Sequence, residues 1–201
     1  MVQVISGSLD DAAFARGPAE QMFRLRGQIF GGRLGWDVQV RDGCETDGYD
    51  DAHSRYLLLA EGDTVIGGWR LRPTTQPYML DEVFPQLLGG RRAPHHPRVW
   101  EVSRFAIDTR GDRSARFGFN QAARSLLAAT AQYALDHGIE RYVMVASAGA
   151  ERLYRNAGLQ VRRYGPPQRI GRVLSVAGWI DIDAHTCHVL LGHPLPLARA
   201  A

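Results

Sequence analysis

A glutamate, a serine and an arginine fall within four consecutive positions, Glu101, Ser103 and Arg104. Together these side chains can take a proton, donate a hydrogen bond and hold an anion. They lie in the apolar run 98–107 (RVWEVSRFAI), which reads as a buried strand. A buried carboxylate or guanidinium costs several kcal/mol unless it is paired and hydrogen-bonded. The strand therefore carries either a structural ion pair or a site. Strict alternation would put Glu101, Ser103 and Phe105 on one face and Arg104 on the other. Glu101 and Arg104 can share a site only if the strand bulges, so a bulge is expected there.

Other charges sit where burial is expected. Arg70 interrupts the strand-like run 65–71, and Arg26 lies one helical turn before Phe30, sharing its face along the core edge. Residues 31–54 read as a long loop without hydrophobic periodicity. Trp36 and Tyr49 in it argue for order, and acids at 47, 50 and 51 would suit a cationic partner. A calcium loop is disfavoured, because the acids miss the EF-hand spacing and no glutamate closes it.

The elements that must position these groups follow in order. A first strand over 2–5 precedes a helix opening at Pro18, its apolar stripe made by Met22, Leu25, Ile29 and Phe30. Runs 56–60 and 65–71 form a hairpin. A proline-punctuated excursion over 73–97 leads to the strand that carries Glu101. A basic, glycine-containing turn over 110–118 precedes a helix over 119–137. A strand over 141–147, a short helix over 151–157, strands over 159–164 and 173–182 and a helix over 183–191 complete the pattern, with a disordered-looking tail at 194–201. The order predicts one α/β domain over 1–201, a three-layer sandwich with a mixed twisted sheet.

Composition excludes several classes. No stretch of about eighteen apolar residues occurs and the N-terminus lacks a leader pattern, so a cytoplasmic, unexported protein without a membrane span is expected. Cys44 and Cys187 show no metal-ligand or disulfide spacing, and no metal or cofactor is expected. All 24 cationic side chains are arginine. Seven of them fall within 141–172 against Glu151 alone, a patch able either to steer an acidic partner or simply to face solvent.

Arg26, Phe30, Trp36, Asp47, Asp50, Arg70, Pro73-Thr74, Pro77-Tyr78-Met79-Leu80, Phe84-Pro85 and Trp100-Glu101-x-Ser103-Arg104-Phe105 stand in the order and spacing of the acyl-homoserine-lactone synthases, which this chain resembles over about 20–165. The resemblance implies a fold like the GCN5-related N-acetyltransferases, in which two strands, here 99–107 and 142–147, splay to admit a pantetheine arm. It implies acyl transfer from an acyl carrier protein thioester, or acyl-CoA, to the amine of S-adenosylmethionine as substrate, followed by lactonisation and release of 5′-methylthioadenosine. In that reading Glu101 is the base or holds a water, and Ser103 with Arg104 completes the catalytic set. Arg26, Asp47, Asp50, Arg70 and Arg104 form an ion-pair network ordering the 36–50 loop over S-adenosylmethionine. Phe30, Trp36 and Phe105 are its apolar walls. Met144, Ala146 and Ser147 line the acyl pocket. Ala146 stands where relatives making 3-oxo products have threonine, so an unsubstituted chain is expected. Arg152 and Arg155 are expected to dock the carrier protein.

Two rivals are an acetyl-CoA-dependent N-acetyltransferase and a basic binding module. Residues 110–118 lack the phosphate-cradling loop of the first. The basic face lacks interleaved stacking aromatics apart from Tyr142, Tyr154 and Tyr164, so no nucleic-acid partner is expected.

Overall fold

The computed structural model describes residues 2–108 and 119–192, with the side chains of Phe119 and Asn120 left aside. The expected turn over 110–118 and the tail over 194–201 lie outside the described residues. Strands are β1 (Val2–Gly7), β2 (Val40–Arg41), β3 (Cys44–Glu45), β4 (Arg55–Glu61), β5 (Thr64–Pro73), β6 (Val99–Ile107), β7 (Arg141–Ser147), β8 (Arg162–Arg163), β9 (Gln168–Ile170) and β10 (Val173–Asp181). Helices are α1 (Ala12–Phe14), α2 (Glu20–Arg26), α3 (Met79–Glu82), α4 (Phe119–His137), α5 (Ala148–Asn156) and α6 (Ala184–Leu191).

The main sheet runs β1-β4-β5-β6-β7-β10-β8, with β9 also on β10. The β6–β7 pair is parallel and its neighbours are antiparallel, so the sheet is mixed, as expected. β4 shows how its two faces are dressed. Tyr56 and Leu58 point to a layer containing Met22, Leu25 and Phe30. Leu57 points to the opposite layer, with Leu127 and Ala134 of α4, and Leu59 packs there with Leu126. Strand alternation thus feeds two apolar layers, the α/β/α sandwich.

Several expectations are corrected. The first helix begins at Ala12, where the Asp11 carboxylate accepts the Ala13 and Phe14 N–H groups as a cap. Pro18 is not at its start but inside a π-turn, Ala15–Ala19, whose wider backbone accommodates a residue without an N–H. A second π-turn, Gly27–Arg33, extends the helical stretch past Gly31. The 31–54 loop contains the β2–β3 ribbon, closed by Asp42 and Gly43 with φ of 51° and 79°, the left-handed pair a tight hairpin turn requires. Gly27 lets α2 approach that turn: a Cβ there would stand 2.4 Å from the Gly43 carbonyl oxygen. Within 73–97 lie α3 and a 3₁₀ turn, Pro85–Leu88. Of the expected strand over 159–164 only Arg162–Arg163 forms a strand, and α5 starts at Ala148 because Ser147 caps it.

Candidate active site

β6 bulges where the sequence requires it. Ser103 pairs with Arg70 and Ala106 with Gly68, so Arg104 and Phe105 together face Trp69. Arg104 takes φ of 59°, a conformation that costs on the order of 1–3 kcal/mol for a residue with a side chain and collects at functional positions. The bulge brings Arg104 round to the side of Glu101 and Ser103. It also moves Phe105, expected beside Arg104 as a wall, to the opposite face, where its ring meets Trp69 at 5.4 Å and Tyr154 at 6.4 Å.

On the Arg104 side, helix α2, β3 with its following loop, β5 and β6 meet through charge. Arg26 donates to Glu45 (2.5 Å) and to both oxygens of Asp50 (2.9 and 2.8 Å). Arg70 donates to Asp47 (2.5 Å), Asp50 (2.9 Å) and the Ser103 hydroxyl (3.2 Å). Arg104 reaches Glu45 (3.1 Å) and Asp47 (2.7 Å). Three guanidiniums thus face three carboxylates, with Arg26, Arg70 and Glu45 at 0% exposure, and such burial is tolerable only because each partner is satisfied. Asp50 is the hub, also accepting from the Tyr56 hydroxyl and the Asp47 N–H. Burial works against its ionisation, but hydrogen bonds and charge from Arg26, with charge from Arg70, hold the carboxyl well below its usual range. Arg72, two residues on and so on the same face as Arg70, pairs with Asp51 and donates to the Tyr49 and Pro77 carbonyls.

Glu101 is fully buried, and its two oxygens accept the N–H groups of Met79 (3.2 Å) and Leu80 (2.7 Å) at the start of α3. Burial pushes its carboxyl up to about 7, only partly offset by the Leu80 and Met79 amides and the charges of Arg70 and Arg104. The Met79 sulfur meets Arg70 and Arg104, each at 3.3 Å.

Phe30 and Trp36 stack, centroids 5.0 Å apart and ring planes nearly parallel, with Arg104 over the Phe30 ring at 5.8 Å. Trp36 remains 37% exposed. Beside this stack a polar cavity of about 330 Å³ is lined by Asp37, Glu45, Asp47 and Arg104 among others. A second, apolar cavity of about 30 Å³ lies on the other face, lined by Trp69, Val102, Leu127, Thr130, Met144 and Tyr154 among others. Parallel pairing of β6 with β7 runs only from Val99↔Arg141 to Val102↔Met144. Beyond that point the strands part, β6 staying with β5 and β7 with β10. The last pair before the parting, Val102 and Met144, lines the apolar cavity.

The other expected residues divide. Met144 lines the apolar cavity. Ala146 belongs to the same apolar layer but not to the lining. Ser147 spends its hydroxyl capping α5. Arg152 is exposed. Arg155 is tied to Glu151 (3.0 Å) and the Val161 carbonyl (2.6 Å), and Arg163 pairs with the same glutamate, so this part of the basic face fastens α5 to β8. Asp47, Asp50 and Asp51 are spent on arginines, and no cluster suited to a metal occurs among the described residues. Sequence reasoning missed Glu45 and Arg72. Asp42-Gly43 between Val40 and Cys44 signalled the hairpin that buries Glu45, and the two-residue spacing from Arg70 signalled Arg72.

A family model described as autoinducer synthase matches residues 11–190. An acyl-homoserine-lactone synthase of Pseudomonas aeruginosa is 42% identical over 90% of this chain and 90% of its own length. Among solved structures, the acyl-homoserine-lactone synthase LasI superposes with a TM-score of 0.88 at 39% identity, covering 99% of this chain and 98% of that one. The CoA-dependent acyl-homoserine lactone synthase BjaI, solved with S-adenosylmethionine and isopentyl-CoA, gives 0.85 at 33% identity, covering 96% and 89%. Matched along nearly its whole length by such proteins, the chain belongs to the autoinducer synthase family and is an acyltransferase of the acyl-homoserine-lactone synthase kind.

Proposed function

We propose that this enzyme transfers an acyl group from a thioester, carried by acyl carrier protein or CoA, to the amine of S-adenosylmethionine and then closes the lactone. The observation that carries the reading is the β6 bulge, which lies between two unlike cavities and beside the parting of β6 and β7.

S-Adenosylmethionine occupies the polar cavity. Arg104 and Asp47, the partly exposed members of the network, present a cation and an anion side by side, a match for the carboxylate and ammonium of an amino acid. The Phe30–Trp36 stack offers an aromatic face to the sulfonium. Arg26, Asp50 and Arg70 hold these groups in place rather than touching the substrate. The acyl chain enters where the strands part and runs into the apolar cavity past Val102 and Met144.

Glu101, with a carboxyl near neutrality, accepts the amine proton directly or through a water. The freed amine attacks the thioester carbonyl. Backbone N–H groups at the parting strands, with the Ser103 hydroxyl, stabilise the tetrahedral oxyanion, and collapse expels the thiolate, which takes up the second amine proton and leaves as the thiol. The methionyl carboxylate oxygen then bonds to Cγ as the Cγ–sulfonium bond breaks, releasing neutral 5′-methylthioadenosine and the N-acyl homoserine lactone. Mass spectrometry of spent medium from an expressing host tests the reading. Lactones absent from an empty-vector host support it, and acetylated amines without lactones would replace it with ordinary N-acetyl transfer.

A further inference from the structure

Three residues lining the apolar cavity are joined by hydrogen bonds that cross from one wall to the other. The Trp69 indole N–H of β5 donates to the Thr130 hydroxyl at 2.9 Å. That hydroxyl donates to the Leu126 carbonyl one turn back in α4 at 2.8 Å. The Tyr142 hydroxyl of β7 donates to the Thr130 carbonyl at 3.3 Å. All three side chains are buried, at 3–4% exposure. Threonine is a mediocre helix former, and its hydroxyl here is spent on the chain's own backbone and on Trp69. Its contribution is therefore the acceptor it offers the indole. Without that acceptor the Trp69 N–H would be buried unpaired, and the ring would have reason to turn. Trp69 is the largest side chain lining the cavity, so its orientation sets the space left for a guest.

We infer that Thr130 is a positioning residue that fixes the Trp69 ring and thereby sets which acyl chain lengths the enzyme accepts. This rests on reading the cavity as the acyl site. One methylene that fits or fails to fit an apolar pocket changes kcat/KM by roughly 10- to 200-fold, so a wall held in one orientation is a strong selector.

The test measures kcat/KM for saturated acyl thioesters of stepped length with the wild type, Thr130→Val, Thr130→Ala and Thr130→Ser. Valine keeps the volume and loses the oxygen, alanine loses both, and serine keeps the oxygen. Valine and alanine are expected to cut the discrimination between the best donor and one two carbons longer by about tenfold or more, while the S-adenosylmethionine KM stays put and serine keeps the wild-type ranking. Two results overturn the inference with the proposed function intact: an unchanged ranking in valine and alanine, or a serine variant shifted as far as valine. Wild-type enzyme that turns over no acyl thioester overturns the proposed function and the inference with it.

Discussion

Asp50→Asn isolates the hub of the buried network. Asp50 accepts five hydrogen bonds, three of them from guanidiniums. Asparagine keeps one oxygen but turns an amide nitrogen toward donors, and it leaves three buried cations against two anions. Removing one partner from a buried ion pair costs about 3–5 kcal/mol. Glu45 still faces Arg26 and Asp47 still faces Arg70, so a loss of about 3 kcal/mol is expected. For a chain of this size that lowers Tm by roughly 6–12 °C. Because the native Asp50 pKa is depressed, its stabilisation is present above the unfolded carboxylate range and is lost as pH falls through the folded value. Wild type and variant should therefore converge in acid. Urea unfolding followed by tryptophan fluorescence at several pH values measures both effects, and the double variant Asp50→Asn/Arg26→Met should lose less than the sum of the singles. A loss below about 1 kcal/mol, or strict additivity, would refute the network's role.

Three further outcomes follow from the geometry. Glu101→Gln should lower turnover by about 10²- to 10⁴-fold and remove the rise in rate as pH passes about 7; a retained rise would place the base elsewhere. It should also cost stability, because glutamine cannot accept both the Met79 and Leu80 N–H groups, and since burial raises the glutamate's pKa, wild-type stability from this group declines as pH rises from about 4.5 to about 7. Trp36→Ala removes a partly exposed ring and should leave the fold within about 1 kcal/mol while raising the S-adenosylmethionine KM; a rise in the acyl-donor KM instead would reassign the polar cavity. Arg152→Glu should reduce use of carrier-protein donors at low salt, an effect that shrinks as salt rises, with CoA donors used as before, and equal losses with both would remove the docking role.

The sequence made the sheet legible wherever apolar runs were long, as in β5, β6 and β10, and it made the bulge legible because Glu101 and Arg104 cannot otherwise share a face. Short elements were lost. β2 and β3 are two residues each, too short for periodicity, so Glu45 was hidden although Asp42-Gly43 marked its turn. Pro18 misled because a proline that usually begins a helix here sits in a π-turn. Arg26, Asp47, Asp50, Arg70 and Arg104 were recognisable as network members from the family resemblance, and Glu45 was not. Their pairing was not recognisable either, since it depends on how α2 seats against the Gly43 carbonyl. Phe105 was misplaced for the reason Arg104 was placed well: one extra residue flips everything after it.

The most direct test combines the purified protein with S-adenosylmethionine and an acyl thioester, on carrier protein or CoA, and quantifies products by mass spectrometry. The expected result is N-acyl homoserine lactone and 5′-methylthioadenosine in equal amounts, each dependent on both substrates. An acylated product that retains the methylthioadenosyl group, or no acyl transfer with either donor, would contradict it.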